Sequence, residues 1–191
     1  MNLKEKTLNS RRIYDGRILN VRVDTVELPD GCVSTREVVE HRGAVAVVPI
    51  LDTDRIVMVR QFRQPVGEVL LEIPAGTLAP GEDPDDCALR ELAEETGYRA
   101  GELRKLFSSY LAPGYSSEML HTYLATGLSK PVLSKVEATE ANTDADEFVE
   151  IVVVRFSDAV GMISSGEIRD AKTICGVLMA QRVLRDDRIG G

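Results

Sequence analysis

Apolar and polar residues alternate over 18–28, where Leu19, Val21 and Val23 are interleaved with Asn20, Arg22 and Asp24. A period of two predicts a half-buried strand. Pro29-Asp30-Gly31 predicts a turn, and 34–40 reads as the returning strand. Two or three such strands bury too little surface to stand alone, so this small antiparallel unit must pack on something. Residues 44–50 form a continuous apolar run, the pattern of a strand buried on both faces. Asp52-Thr53-Asp54-Arg55 is a turn, and 56–62 the hairpin partner. A short strand is expected at 69–73, a helix at 84–96, and strands at 103–109 and 118–125 with Pro113-Gly114 between them. Residues 129–146 are polar and acidic without a period and read as a loop. A strand at 148–154 and helices at 157–164 and 170–185 close the chain, the last with an apolar stripe of Ile174, Val177, Leu178 and Leu184. Mixed strands, one helix, more strands and C-terminal helices argue for an α+β, α/β/α-layered domain rather than a Rossmann fold.

At 191 residues the chain suits one compact domain with room for a small appendage, and 43% hydrophobic residues support a sizeable core. The net charge of −8 removes any global attraction to nucleic acid, so a phosphorylated ligand would need local cations or metal ions. Cys32, Cys87 and Cys175 are far apart and odd in number, which excludes a disulfide framework or zinc site and predicts buried small hydrophobes in a reducing cytosol. Two histidines, His41 and His121, are too few for a histidine metal site. The N-terminal MNLKEKTLNS has no apolar segment of the kind that precedes signal cleavage, and no apolar run approaches a membrane span.

The chemistry concentrates in the helix at 84–96. Asp83 is placed as N-cap, Pro84 at the first helical position, Asp85 and Asp86 at the positive end of the dipole, and Gly97 at the stop. On a helical projection Leu89, Leu92, Ala93 and Thr96 share one face, available to a sheet. Glu91, Glu94 and Glu95 fall opposite, within roughly a quarter turn, and Arg90 stands beside Glu94. Clustered carboxylates oppose one another's ionisation. Water on a solvated face relieves this, and so does a hard divalent cation, since Mg²⁺ prefers carboxylate oxygens. The preceding loop, Gly76-Thr77-Leu78-Ala79-Pro80-Gly81-Glu82, favours the cation: it brings another acid to a backbone that a ligand can approach closely.

In order and spacing, Gly76, Glu82, Arg90-Glu91-Leu92, Ala93, Glu94-Glu95, Thr96, Gly97 and Tyr98 resemble the Nudix box in every defined position. The resemblance implies the Nudix fold, an α/β/α sandwich with a mixed sheet and the box as loop–helix–loop. It implies metal ligation by Glu91 and Glu95, with Glu94 near the metals, Arg90 orienting a carboxylate, and Glu82 as a further ligand or supporting group. The Ala75 carbonyl matches a position that ligates metal in the ADP-ribose branch. Metal-assisted hydrolysis follows, with Mg²⁺ the expected ion and Mn²⁺ able to substitute. Glu94 is one candidate base. Similar enzymes take the base from a late loop, here within 137–147, where Glu140, Asp144, Asp146 and Glu147 compete and Glu147 is preferred.

Resemblance to the ADP-ribose pyrophosphatase branch covers residues 12–185. It is carried by Glu40-His41-Arg42-Gly43-Ala44-Val45, by Arg60-Gln61-Phe62-Arg63, by Leu71-Glu72-Ile73-Pro74-Ala75-Gly76, and by Pro113, fifteen residues past Tyr98. It implies that Arg63 meets a phosphate or the terminal ribose, and that Gly114 and Glu118 contact substrate. The adenine would be gripped by Tyr14, Arg22 or Arg36, of which spacing selects none. Asp170-Ala171-Lys172-Thr173 also looks familial and reads only as a helix start. Residues 1–42 are expected to form a β arm exchanged across a homodimer and 43–191 the hydrolase domain, in the cytoplasm. The leading expectation is hydrolysis of ADP-ribose or a related ADP-sugar to AMP and a sugar phosphate, ribose 5-phosphate in the first case. Alternatives are a Nudix enzyme for a nucleoside triphosphate, a dinucleoside polyphosphate or NADH, and a silent nucleotide sensor, against which the complete box argues. The acidic charge disfavours nucleic acid as substrate.

Overall fold

A computed structural model of the protein describes residues 2–130 and 148–189. The chain forms two compact units. The first, residues up to Gly43 together with Ser109–Leu120, is built on an antiparallel sheet of β1 (Lys6–Asp15), β2 (Asn20–Glu27) and β3 (Val33–Glu40), in that order. Val21 stands opposite both Tyr14 and Val39. Strand β1 was invisible in the hydrophobic pattern for a physical reason: all ten of its residues are exposed, so no buried face imposes a period. Backbone bonds from Val39 N to the Tyr115 carbonyl (2.7 Å) and from Ser117 N to the Val39 carbonyl (2.9 Å) stitch the loop with Pro113 and Gly114 to the end of β3. That pairing joins positions distant in sequence, which is why the loop's place in this unit could not be read locally.

In the second unit β10 (Val149–Arg155), β5 (Arg55–Arg63) and β6 (Glu68–Glu72) form one sheet. A four-stranded sheet, most of whose residues belong to this unit, runs β7 (Ala75–Thr77), β4 (Ala44–Pro49), β9 (Met119–Thr126), β8 (Glu102–Tyr110). Every residue of β4 is buried, as its unbroken apolar run requires. Its side chains alternate between two helical layers. Val45 and Val47 pack with Cys87, Ala88 and Leu92 of α1 (Pro84–Thr96), and with Tyr123 and Ala125. Val48 faces Gly176 of α3 (Ala171–Ile189), where an added methyl would stand 3.1 Å from Val48 and 2.9 Å from Ile73. A helix α2 (Phe156–Ser165) precedes α3. This is the expected α+β class, with helices on both faces of a sheet.

The helix α1 has the expected ends. Asp83 accepts the Asp85 N–H at 2.8 Å, and Gly97 closes the helix in the left-handed region at φ 68°. Its buried face differs from the expected one. Cys87, Ala88, Leu92, Glu95 and Thr96 are buried while Leu89 is 41% exposed, so the face is rotated by roughly a quarter turn and centred on Glu95. The small Cys87 and Ala88 let the helix approach the sheet. Over 171–186 of α3 the buried residues are Thr173, Gly176, Val177 and Ala180, and Leu178 is exposed; again small residues rather than large apolar ones mark the contact. Cys87 is buried as expected, but Cys32 and Cys175 are exposed. Among the described residues no helix is long and apolar enough to cross a membrane.

Candidate functional site

The strand–loop–helix running from β7 into α1 gathers its charges around one guanidinium. Arg90 donates from Nε and Nη2 to both oxygens of Glu82 (2.8 and 3.0 Å), and from Nη1 to Glu91 (2.7 Å) and Glu94 (2.9 Å). Glu82 also accepts the Ala79 N–H at 2.8 Å. Arg90 and that N–H hold the Glu82 carboxyl down at about 2, and Arg90's own pKa is raised, first by Glu82. Burial and the neighbouring Glu82 push the Cys87 thiol up to about 12, so it is a neutral filler beneath the cluster. Tyr123 of β9 donates its hydroxyl to Asp85 at 2.7 Å, fixing the first turn of α1 to the sheet.

Glu95 is 8% exposed and accepts the Ala75 N–H at 3.1 Å. This bond ties the last turn of α1 to the residue before the Gly76 loop. Gly76 pairs with Val45 in the sheet, and a β-carbon there would overlap the Glu91 carboxylate. Glycine at 76 is therefore required by Glu91's position, not by backbone strain.

Glu82, Glu91, Glu94 and Glu95 against Arg90 formally leave three negative charges, more than one arginine neutralises. Among the described residues the donors of the cluster are carboxylate oxygens and a backbone carbonyl, with one neutral thiol beneath them. Such a set fits a hard cation of the Mg²⁺ or Mn²⁺ type. Among the described residues no three acidic, histidine or cysteine side chains converge as a ready cation site; Glu82, Glu91 and Glu94 are gathered on Arg90 instead.

Arg63, at the end of β5, is held by both oxygens of Glu72 at 2.9 and 2.7 Å. Arg36 lies on β3 in the first unit, paired to Glu5 at 2.5 and 3.1 Å and bonded to Ser34 and Thr35. Of its rivals, Arg22 is engaged by Asp24 and Glu40, and Tyr14 is 57% exposed. Glu118 belongs to the first unit too. Its carboxylate lies 3.8 Å from His41 Nδ1, which accepts the Gly43 N–H at 3.1 Å. Gly114 faces open space. Glu140, Asp144, Asp146 and Glu147 lie outside the described residues.

Sequence reasoning assigned no role to Glu72, Asp170, Lys172 or Thr173. Glu72 is 1% exposed and also bonded to Lys172. The signal available was a single acid inside the apolar run Leu70-Leu71-Glu72-Ile73, since a buried charge needs a partner elsewhere in the chain.

The NUDIX domain matches residues 40–176, and the nucleoside diphosphate sugar hydrolase N-terminal domain matches residues 5–39. The chain is similar to an ADP-ribose pyrophosphatase of Bacillus subtilis (strain 168), 44% identical over 94% of each chain. It is similar also to a methanol dehydrogenase activator of Bacillus methanolicus, 43% identical over 93% of each chain. A crystal structure of an ADP compounds hydrolase superposes with a TM-score of 0.82, covering 98% of both chains at 23% identity, which establishes likeness of fold.

Proposed function

This chain belongs to the Nudix family, and we propose that within it the protein hydrolyses the pyrophosphate bond of ADP-ribose or a related ADP-sugar. ADP-ribose would yield AMP and ribose 5-phosphate. The observation that carries this reading is the excess of carboxylates gathered on Arg90 beside Gly76, which calls for cations that a pyrophosphate would share. The similarity to an ADP-ribose pyrophosphatase over 94% of the chain points to the sugar-linked diphosphate.

Mg²⁺, with Mn²⁺ as a substitute, would be held by Glu91, Glu95, Glu82 and the Ala75 carbonyl. When bound, such an ion neutralises phosphate charge and lowers the pKa of a coordinated water. The chain's own residues do the rest. Arg90 keeps Glu82, Glu91 and Glu94 in register. Glu95, tied to Ala75, fixes the Gly76 loop against α1. Glu94 or Glu147 takes the proton of the attacking water. Arg63 contacts a phosphate. Gly114 leaves room for the terminal ribose, and Glu118 accepts hydrogen bonds from its hydroxyls. Arg36 is assigned to the nucleoside end.

Residues 1–42 act as a β arm to a hydrolase domain at 43–191, and the working form is a cytoplasmic homodimer that exchanges the arm. The ten exposed residues of β1, with Leu8, Ile13 and Tyr14 each about half exposed, support a partner surface there. Light scattering at micromolar concentration should give a dimer; a stable, active monomer would overturn it. The runner-up reading is a Nudix enzyme for a nucleoside triphosphate, dinucleoside polyphosphate or NADH. A substrate panel with Mg²⁺, its products separated by chromatography, distinguishes the two.

A further inference from the structure

Glu72 is the most deeply buried carboxylate described, 1% exposed at the end of β6. Two cations from different elements converge on it. Arg63 of β5 donates Nε to one oxygen and Nη2 to the other, and Lys172 in the first turn of α3 pairs with the second. Lys172 Nζ lies 3.0 Å from Asp170, which also accepts the Thr173 N–H at 3.0 Å and the Thr173 hydroxyl at 2.5 Å. Thr173 in turn accepts the Ile73 N–H at 3.0 Å. The Asp170-Ala171-Lys172-Thr173 stretch thus clamps the chain at 72–73, two residues before Ala75.

A buried ion pair of this kind is a poor way to gain stability, because apolar side chains of similar volume serve as well or better. Its distinctive product is orientation. Glu72 takes the Nε/Nη2 side of the Arg63 fork, while Nη1 has no hydrogen bond to any described residue. Arg63 remains 36% exposed, no described residue occupies that edge, and a guanidinium held on one edge offers a planar pair of donors on the next.

We propose that Glu72 is a positioning residue that holds Arg63 with its Nη1 edge turned to a substrate phosphate, and that Lys172 and Asp170 keep Glu72 in place for it. This rests on the role given to Arg63 under the proposed function. Glu72 touches no substrate itself. With two carboxylates matched to two cations the cluster is formally neutral, so it acts by direct hydrogen bonding rather than by its field.

The test is a double-mutant cycle of Arg63→Gln and Glu72→Gln in the full chain, read as KM and kcat for ADP-ribose with Mg²⁺. Calorimetric ADP binding runs in parallel, so the cycle can be read without turnover. Loss of binding shared by ground and transition state raises KM and spares kcat. Arg63→Gln should raise KM and the ADP Kd about ten- to hundredfold, Glu72→Gln about tenfold, and the double variant no more than Arg63→Gln alone. A clamp that is only structural would lower the melting temperature and give additive losses. Additive losses overturn the proposal, as does Glu72→Gln that binds ADP like wild type while Arg63→Gln does not. If Arg63→Gln changes neither KM nor Kd, Arg63 meets no phosphate and the positioning role falls with it. If ADP-ribose is not hydrolysed but the cycle in ADP binding is non-additive, the substrate assignment fails and the device stands. Should Glu72→Gln not fold by circular dichroism, Glu72→Asp, which keeps the charge and retracts the fork, replaces it under the same criteria.

Discussion

Gly76→Ala separates stability from activity. The added methyl would occupy the space of the Glu91 carboxylate, so the flexible Glu91 side chain must swing away. That movement breaks its 2.7 Å bond to Arg90, a charge-assisted contact at a site where Arg90 is 36% exposed, worth about 1 kcal/mol after solvent screening. Against this, Gly76 sits outside the left-handed region. Alanine is therefore unstrained there and recovers about 0.4–1 kcal/mol by restricting the unfolded chain. The two nearly cancel, and Tm should move by no more than about 2–4 °C for a domain of this size. Activity should not cancel. Displacing a carboxylate proposed to hold the metal should cost about 10²-fold or more in kcat/KM and raise the Mg²⁺ concentration needed for half-maximal rate. Differential scanning calorimetry beside steady-state kinetics over a Mg²⁺ titration reads both. Activity within about threefold of wild type with unchanged Mg²⁺ dependence would refute the placement of Glu91 at the metal.

Glu95→Gln keeps the shape and the bond to Ala75 but removes a charge, and should lower turnover about 10²–10³-fold with an unchanged circular dichroism spectrum; a loss within tenfold would remove Glu95 from the metal. Glu118→Ala should weaken ADP-ribose turnover more than any activity on nucleoside triphosphates, because a carboxylate that serves sugar hydroxyls has no partner in a triphosphate; an unchanged preference contradicts this. Burial raises the Glu72 carboxyl, but the Arg63 and Lys172 bonds outweigh it and hold the group below its ordinary value. The unfolded chain therefore binds the proton first as pH falls. The stabilisation is complete above the ordinary glutamate value of about 4.3 and is lost as pH drops through the lower folded value. Acid unfolding of Glu72→Gln should lack that component of the slope, and an identical slope would show that Glu72 is not the group.

Most of the site-bearing element was legible because its signals are local. Asp83, Pro84 and Gly97 set the ends of α1 by backbone chemistry alone, and 44–50 declared a buried strand by composition. The rotation of α1 was not legible. Leu89 looked like a core residue, but burial is decided by Cys87 and Ala88, whose small size permits close approach, and by the bond between Glu95 and Ala75, twenty positions apart. Strand β1 hid because an exposed strand carries no period. The clamp on Glu72 hid for a third reason. Its partners come from positions 63 and 172, and nothing in the apolar run around Glu72 says which cations will reach it. Helical spacing puts Glu91, Glu94 and Glu95 on one face; the structure adds that Arg90 gathers Glu82, Glu91 and Glu94, while Glu95 turns into the core.

The most direct test of the account is the rate of ADP-ribose cleavage by the purified protein, with and without Mg²⁺, with products separated by chromatography against a panel of nucleoside triphosphates and other nucleotide sugars. The expected products are AMP and ribose 5-phosphate, with loss of turnover on chelation and the highest kcat/KM for ADP-ribose or a related ADP-sugar. A higher kcat/KM for a nucleoside triphosphate, or cleavage that persists without a divalent cation, would contradict it.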